Sequence, residues 1–107
     1  MNDVQHPDLA RGRWQRMSLA EQLGNVGSEY SRARKWKAKG NTKFFDKAFR
    51  RLLELMDLTI TDDRWRGPKR RELARVRGGV CAELIDIDAA GLGFTKYFDA
   101  MAVAARR

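Results

Sequence analysis

The chain has little of what most catalytic sites are built from. Among its 107 residues there is one cysteine, Cys81, and one histidine, His6. A lone cysteine excludes an intrachain disulfide and a cysteine cluster, and its place on an apolar stripe predicts a reduced, buried thiol. The single histidine lies in the first turn-rich residues, where it cannot pair with Cys81 or a serine in a rigid nucleophile and base arrangement. Asp57, Asp62 and Asp63, or Asp86 and Asp88, match no metal-ligand loop by their spacing and suit helix ends and caps. No enzyme, metal or cofactor is therefore expected. No run alternates with period two, so no strand is expected either. No segment approaches the roughly 18 uninterrupted apolar residues of a membrane span, and the first ten residues hold no apolar run with a basic flank. Neither membrane insertion nor secretion is expected, and with the reduced thiol this points to the cytoplasm.

Acidic residues are the other shortage, and it is local. From Arg32 to Arg51 nine lysines and arginines face a single acid, Asp46, and from Arg64 to Arg77 seven face Glu72 alone. The first 53 residues carry 12 basic and 5 acidic side chains, and the rest carry 10 and 9, so the net charge of +8 is directional. Charged residues make up 34% of the chain, above the roughly 25% of an average domain, while 43% apolar residues suffice for one core. At this length one domain spanning 1–107 is expected, because a second core would leave each half marginal.

Residues 1–12 are punctuated by Asn2, Asp3, Pro7 and Gly12 and read as a tail or an arm. From Ser18, an N-cap with Glu21 as capping-box partner, Leu19, Leu23, Val26, Tyr30 and Ala33 form one face of a helix that ends near Gly40. A rotation of about 100° per residue puts Ser28, Arg32, Lys35 and Lys39 on the opposite face. Asn41 can cap a second helix with Phe45, Ala48, Phe49, Leu52, Met56 and Ile60 inward and Lys43, Lys47, Arg50 and Glu54 outward. The short hairpin makes these helices antiparallel neighbours and joins their basic stripes into one patch. A third helix starts near Pro68, with Leu73, Val76, Val80, Leu84 and Ile87 inward and Arg71 and Arg75 outward. Its Gly78 and Gly79 predict a bend or a close neighbour. After a loop over 88–93, Phe94, Phe98, Met101 and Ala105 mark a last short helix. The fold class is all-α, an antiparallel up-and-down four-helix bundle.

Two further features bear on function. Gly24 and Gly27 share one helix, which favours close approach of a second helix or a second subunit. Trp14, Trp36 and Trp65 are candidates for base stacking; for Trp36, on the flank of its helix, a bundle-edge or subunit-contact role is the favoured alternative.

The run from Leu19 to Glu29, with Ser31-Arg32-Ala33, Trp36-Lys37, Leu53 to Thr59 and the closing Lys96-Tyr97-Phe98-Asp99 with Ala102 to Arg106, resembles a family of small, mostly uncharacterised prokaryotic four-helix proteins. These are similar in style to the accessory variability determinants of diversity-generating retroelements and to ribosomal intervening-sequence four-helix proteins. The resemblance covers most of residues 8–107. It implies a basic homo-oligomer, commonly a ring, that assists a reverse transcriptase by binding it and its RNA.

Together these features predict a non-enzymatic accessory protein that binds nucleic acid, RNA or another single strand, through phosphate contacts with little sequence dependence. The expected binding residues are Arg32, Lys35, Lys39, Lys43, Lys47 and Arg50, extended by Arg71 and Arg75. The competing expectation is an oligomeric scaffold or protein-interaction module that docks an acidic partner on the same face.

Overall fold

A computed structural model describes residues 12–85 and 93–106. Four α-helices account for about three quarters of these residues, and none of them is in a strand: α1 is Leu19–Ala38, α2 Thr42–Ile60, α3 Pro68–Ile85 and α4 Thr95–Ala105. α1 lies against both α2 and α4, and α3 lies against α2, so α1 and α2 carry the core. The expected helical bundle is the observed architecture. The tail at 1–11, Ile87 and the segment 86–92 lie outside the described residues.

Local chemistry sets the boundaries. The Ser18 side chain accepts from the Glu21 amide at 3.1 Å while Glu21 Oε1 accepts from the Ser18 amide at 2.8 Å, the reciprocal capping box that starts α1. At the other end the Gly40 amide donates to Lys37 O (3.1 Å) and the Asn41 amide to Trp36 O (3.0 Å). That pair of bonds needs a left-handed residue, and Gly40 supplies it at φ +70°. Asn41 then caps α2 by accepting from the Phe44 amide at 3.0 Å. The turn is thus only three residues long, and it sets the last turn of α1 beside the first turn of α2.

The buried stripe of α1 is Leu23, Val26, Tyr30 and Ala33, and that of α2 is Ala48, Leu52, Leu55, Met56 and Thr59. α3 contributes Leu73, Val76, Val80 and Leu84, and α4 contributes Phe98. Cys81 departs from the expectation of a buried thiol: it is half-exposed, because the apolar stripe that α3 buries runs through Leu73, Val76, Val80 and Leu84 and Cys81 sits at its edge, about 100° round from Val80.

The paired glycines have a packing cause within the chain. A β-carbon built on Gly27 would lie 2.6 Å from Phe98 Cβ, and one on Gly24 would lie 3.5 Å from Ala102 Cα, so α4 rests on the glycine face of α1. Gly79 leaves room for the Phe94 ring, whose Cζ would be 2.5 Å from a β-carbon there, whereas Gly78 faces open space. Of the two outcomes expected for α3, a close neighbour accounts for Gly79.

Candidate nucleic-acid interface

The basic residues divide into those the fold consumes and those it leaves over. The turn after α2 holds the first set. Gln22, fully buried, donates through Nε2 to Trp14 O (2.8 Å) and to Asp62 Oδ2 (3.0 Å), and accepts at Oε1 from Trp65 Nε1 (2.8 Å). Asp62, also buried, accepts from the Arg64 backbone amide (3.0 Å) and from Arg64 Nε (3.1 Å) and Nη2 (2.8 Å). The Arg64 guanidinium, followed by the Gln22 amide and the Arg64 N–H, outweighs burial and holds the Asp62 carboxyl at a pKa of about 2. Arg64 also donates to Met17 O and lies over the Trp65 ring, and Arg70 donates to Asp62 O. Arg66 pairs with Asp63, Lys69 with Glu72 and Arg77 with Asp57. Of the second basic cluster, Arg71 and Arg75 remain exposed, with no ion pair among the described residues.

A second knot ties α1 to α3 and α4. Tyr30 donates its hydroxyl proton to Glu83 Oε1 at 2.5 Å and accepts from the Phe94 amide at 2.9 Å. Burial, then the bond to Glu83, pushes the Tyr30 phenol above its ordinary pKa. Arg34 pairs with Glu83 Oε2 at 3.3 Å and donates to Thr95 Oγ1, and Lys37 donates to Glu83 O at 2.9 Å. Two cations of the first cluster are therefore part of the frame.

The expected phosphate contacts separate accordingly. Arg32 is exposed on α1, but its guanidinium is bonded to Oε1 of Glu29, whose side chain is 95% covered and whose Oε2 has no hydrogen-bond partner among the described residues. That buried charge holds Arg32 in place and competes with any phosphate. Lys35 and Lys39 sit over the Trp36 indole, their ammonium nitrogens 4.8 and 5.4 Å from the ring centroid. Lys43, Lys47 and Arg50 line one depression of about 420 Å³ on the outer face of α2, with Asp46 as the sole acid on its described wall. None of those three has an ion pair or hydrogen bond among the described residues. Lys35, Lys39, Lys43, Lys47 and Arg50 are thus gathered at the hairpin end and along α2. Arg71 and Arg75, on α3, share no described contact or cavity with them.

No protein-family model, no curated protein and no solved structure matches this chain. What the surface can do rests on its own geometry.

The tryptophans do not keep the roles open to all three. Trp14 is fully buried and bonded through Nε1 to Thr59 Oγ1 at 3.1 Å, so it is a core residue and no base can reach it. Trp65 is half-buried, with its N–H held by Gln22 and its ring under Arg64. Trp36 is half-buried at the edge of the core, its indole already met by Phe44 at 4.8 Å between centroids and by the two lysines. The aromatic surface left outward is Phe44, 44% exposed, which the sequence pattern passed over. Its signal was the pair Phe44-Phe45: neighbours on a helix are 100° apart, and Phe45 takes the inward position. Among the described residues, no three histidine, cysteine, aspartate or glutamate side chains converge as metal ligands, and no helix is long and apolar enough to cross a membrane.

Proposed function

We propose that this chain is a nucleic-acid-binding accessory protein without catalytic activity, and that Lys35, Lys39, Lys43, Lys47 and Arg50 contact phosphates. One observation carries the reading. On this surface the cations are left without carboxylate partners, whereas elsewhere the fold pairs Arg34, Arg64, Arg66, Lys69 and Arg77 with acids. A set of unpaired cations on a rigid hairpin attracts a polyanion by its summed field and by counterion release. Contacts to phosphates position the ligand without reading its bases, so affinity depends weakly on sequence. The resemblance of the Leu19 to Glu29 run extends the proposal to a homo-oligomer with RNA as the polyanion and a reverse transcriptase as a protein partner.

Charge reversal tests it. Lys35→Glu together with Lys43→Glu alters two exposed side chains that hold no described carboxylate, so the fold should persist by circular dichroism while binding to labelled RNA is abolished. Unchanged RNA binding by the double variant would overturn the assignment. A wild-type protein that binds no nucleic acid but captures an acidic protein would favour the docking alternative.

A further inference from the structure

The same surface carries an unexplained aromatic ring. Phe44 is the one exposed large aromatic among the described residues, in a protein that buries or half-buries its other described aromatic rings. Its position follows from the hairpin. The three-residue turn brings the first turn of α2 against the last turn of α1, and Trp36 packs edge-on to Phe44 with the ring planes at 66°. Lys35 and Lys39 brace the indole, and Lys43 and Lys47 stand one residue before and three after Phe44 on the same helix. The ring is therefore held from within by Trp36, with the basic face of α2, Lys43, Lys47 and Arg50, along one flank.

An exposed apolar ring beside a basic helix face fits a ligand that presents a flat π face and a negative charge close together. A nucleotide in a single strand does so. A duplex hides its base faces in the stack, and the carboxylates of an acidic peptide carry charge without the face. Resting on the proposal that this surface binds nucleic acid, we infer that Phe44 is a stacking platform for an unpaired base, which makes single strands the favoured form of the ligand. Trp36 then supports the platform from behind, and Lys43 and Lys47 take the phosphates along the adjoining basic flank. Stacking on an aromatic side chain tolerates any base, in keeping with binding that reads little sequence.

The test compares two strands with equal numbers of phosphates, a mixed-sequence single-stranded oligonucleotide and an abasic strand of the same length, each labelled and titrated with full-length protein. The wild type should bind the base-containing strand about tenfold more tightly, the size of one stacked base. Phe44→Ala should erase that difference and leave abasic binding unchanged, and Phe44→Tyr should restore it. Equal affinity of the wild type for both strands would overturn the inference while leaving the phosphate reading intact, and that comparison needs no variant to fold. A Phe44→Ala protein that keeps the preference for bases would also overturn it. Absence of binding to either strand at low salt would overturn both.

Discussion

Replacing single glycines of α1 and α3 by alanine tests the closeness of the helices. In an open helix alanine is favoured over glycine by about 1 kcal/mol. Gly78 is exposed and a β-carbon there meets nothing within 4 Å, so Gly78→Ala should keep that gain, roughly 4–8 °C in Tm for a domain of this size. At Gly27 the new atom would lie 2.6 Å from Phe98 Cβ and 3.2 Å from Cγ. Phe98 Cβ is fixed to the α4 backbone and cannot swing aside, so the helices must separate, and overpacking of this kind costs about 1–3 kcal/mol. The propensity gain offsets only part of this, leaving Gly27→Ala destabilised by up to about 2 kcal/mol. The contact at Gly79 is as short but involves Cζ at the tip of Phe94, which a small change in χ1 moves away, so Gly79→Ala should fall between the two. Urea and thermal melts followed by far-ultraviolet circular dichroism rank the three variants. Gly27→Ala as stable as Gly78→Ala would refute the close approach of α1 and α4.

The polar knots make three further predictions. The Asp62 carboxyl is depressed to about 2 from an unfolded value near 3.8. Its contribution is complete above about pH 4 and is lost as pH falls toward 2, so Asp62→Asn should flatten the acid limb of the stability profile. An unaltered acid limb in that variant would contradict the pairing with Arg64. Tyr30→Phe removes both the proton donated to Glu83 and the acceptor for the Phe94 amide, at a cost of about 1–3 kcal/mol. The Phe94 amide should then exchange faster in deuterium while the α2 amides stay protected, and unchanged exchange at Phe94 would argue against the knot. Because the phenol is raised above its ordinary value near 10, the wild type should also lose stability as pH rises past about 10, and Tyr30→Phe should lose less.

Local signals in the sequence reach the helices and their ends. Ser18 with Glu21, Gly40 and Asn41 act on atoms within a few residues, so their spacing alone specifies the capping box, the stop and the restart. Helical periodicity likewise places Leu23, Val26, Tyr30 and Ala33 inward. The knots are not readable in this way. Gln22, Asp62 and Glu83 carry no apolar signal, and their burial depends on partners far along the chain: Trp65 for Gln22, Gln22 for Asp62, Tyr30 and Arg34 for Glu83. The same distance effect governs the candidate site. A count of basic residues cannot tell Arg34, held by Glu83 and Thr95, from Lys47, which holds no described partner. Nor can it tell the buried Trp14 from the exposed Phe44, because an aromatic residue suits either place and tertiary contacts decide.

Lys35, Lys39, Lys43, Lys47 and Arg50 form the proposed phosphate-binding surface. Its most direct test is titration of the purified protein with labelled single-stranded RNA, single-stranded DNA and duplex DNA at two salt concentrations. Five phosphate contacts predict that the logarithm of the single-strand binding constant falls with the logarithm of salt at a slope of about −3.5. Binding that is absent at low salt, or indifferent to salt, would contradict the account.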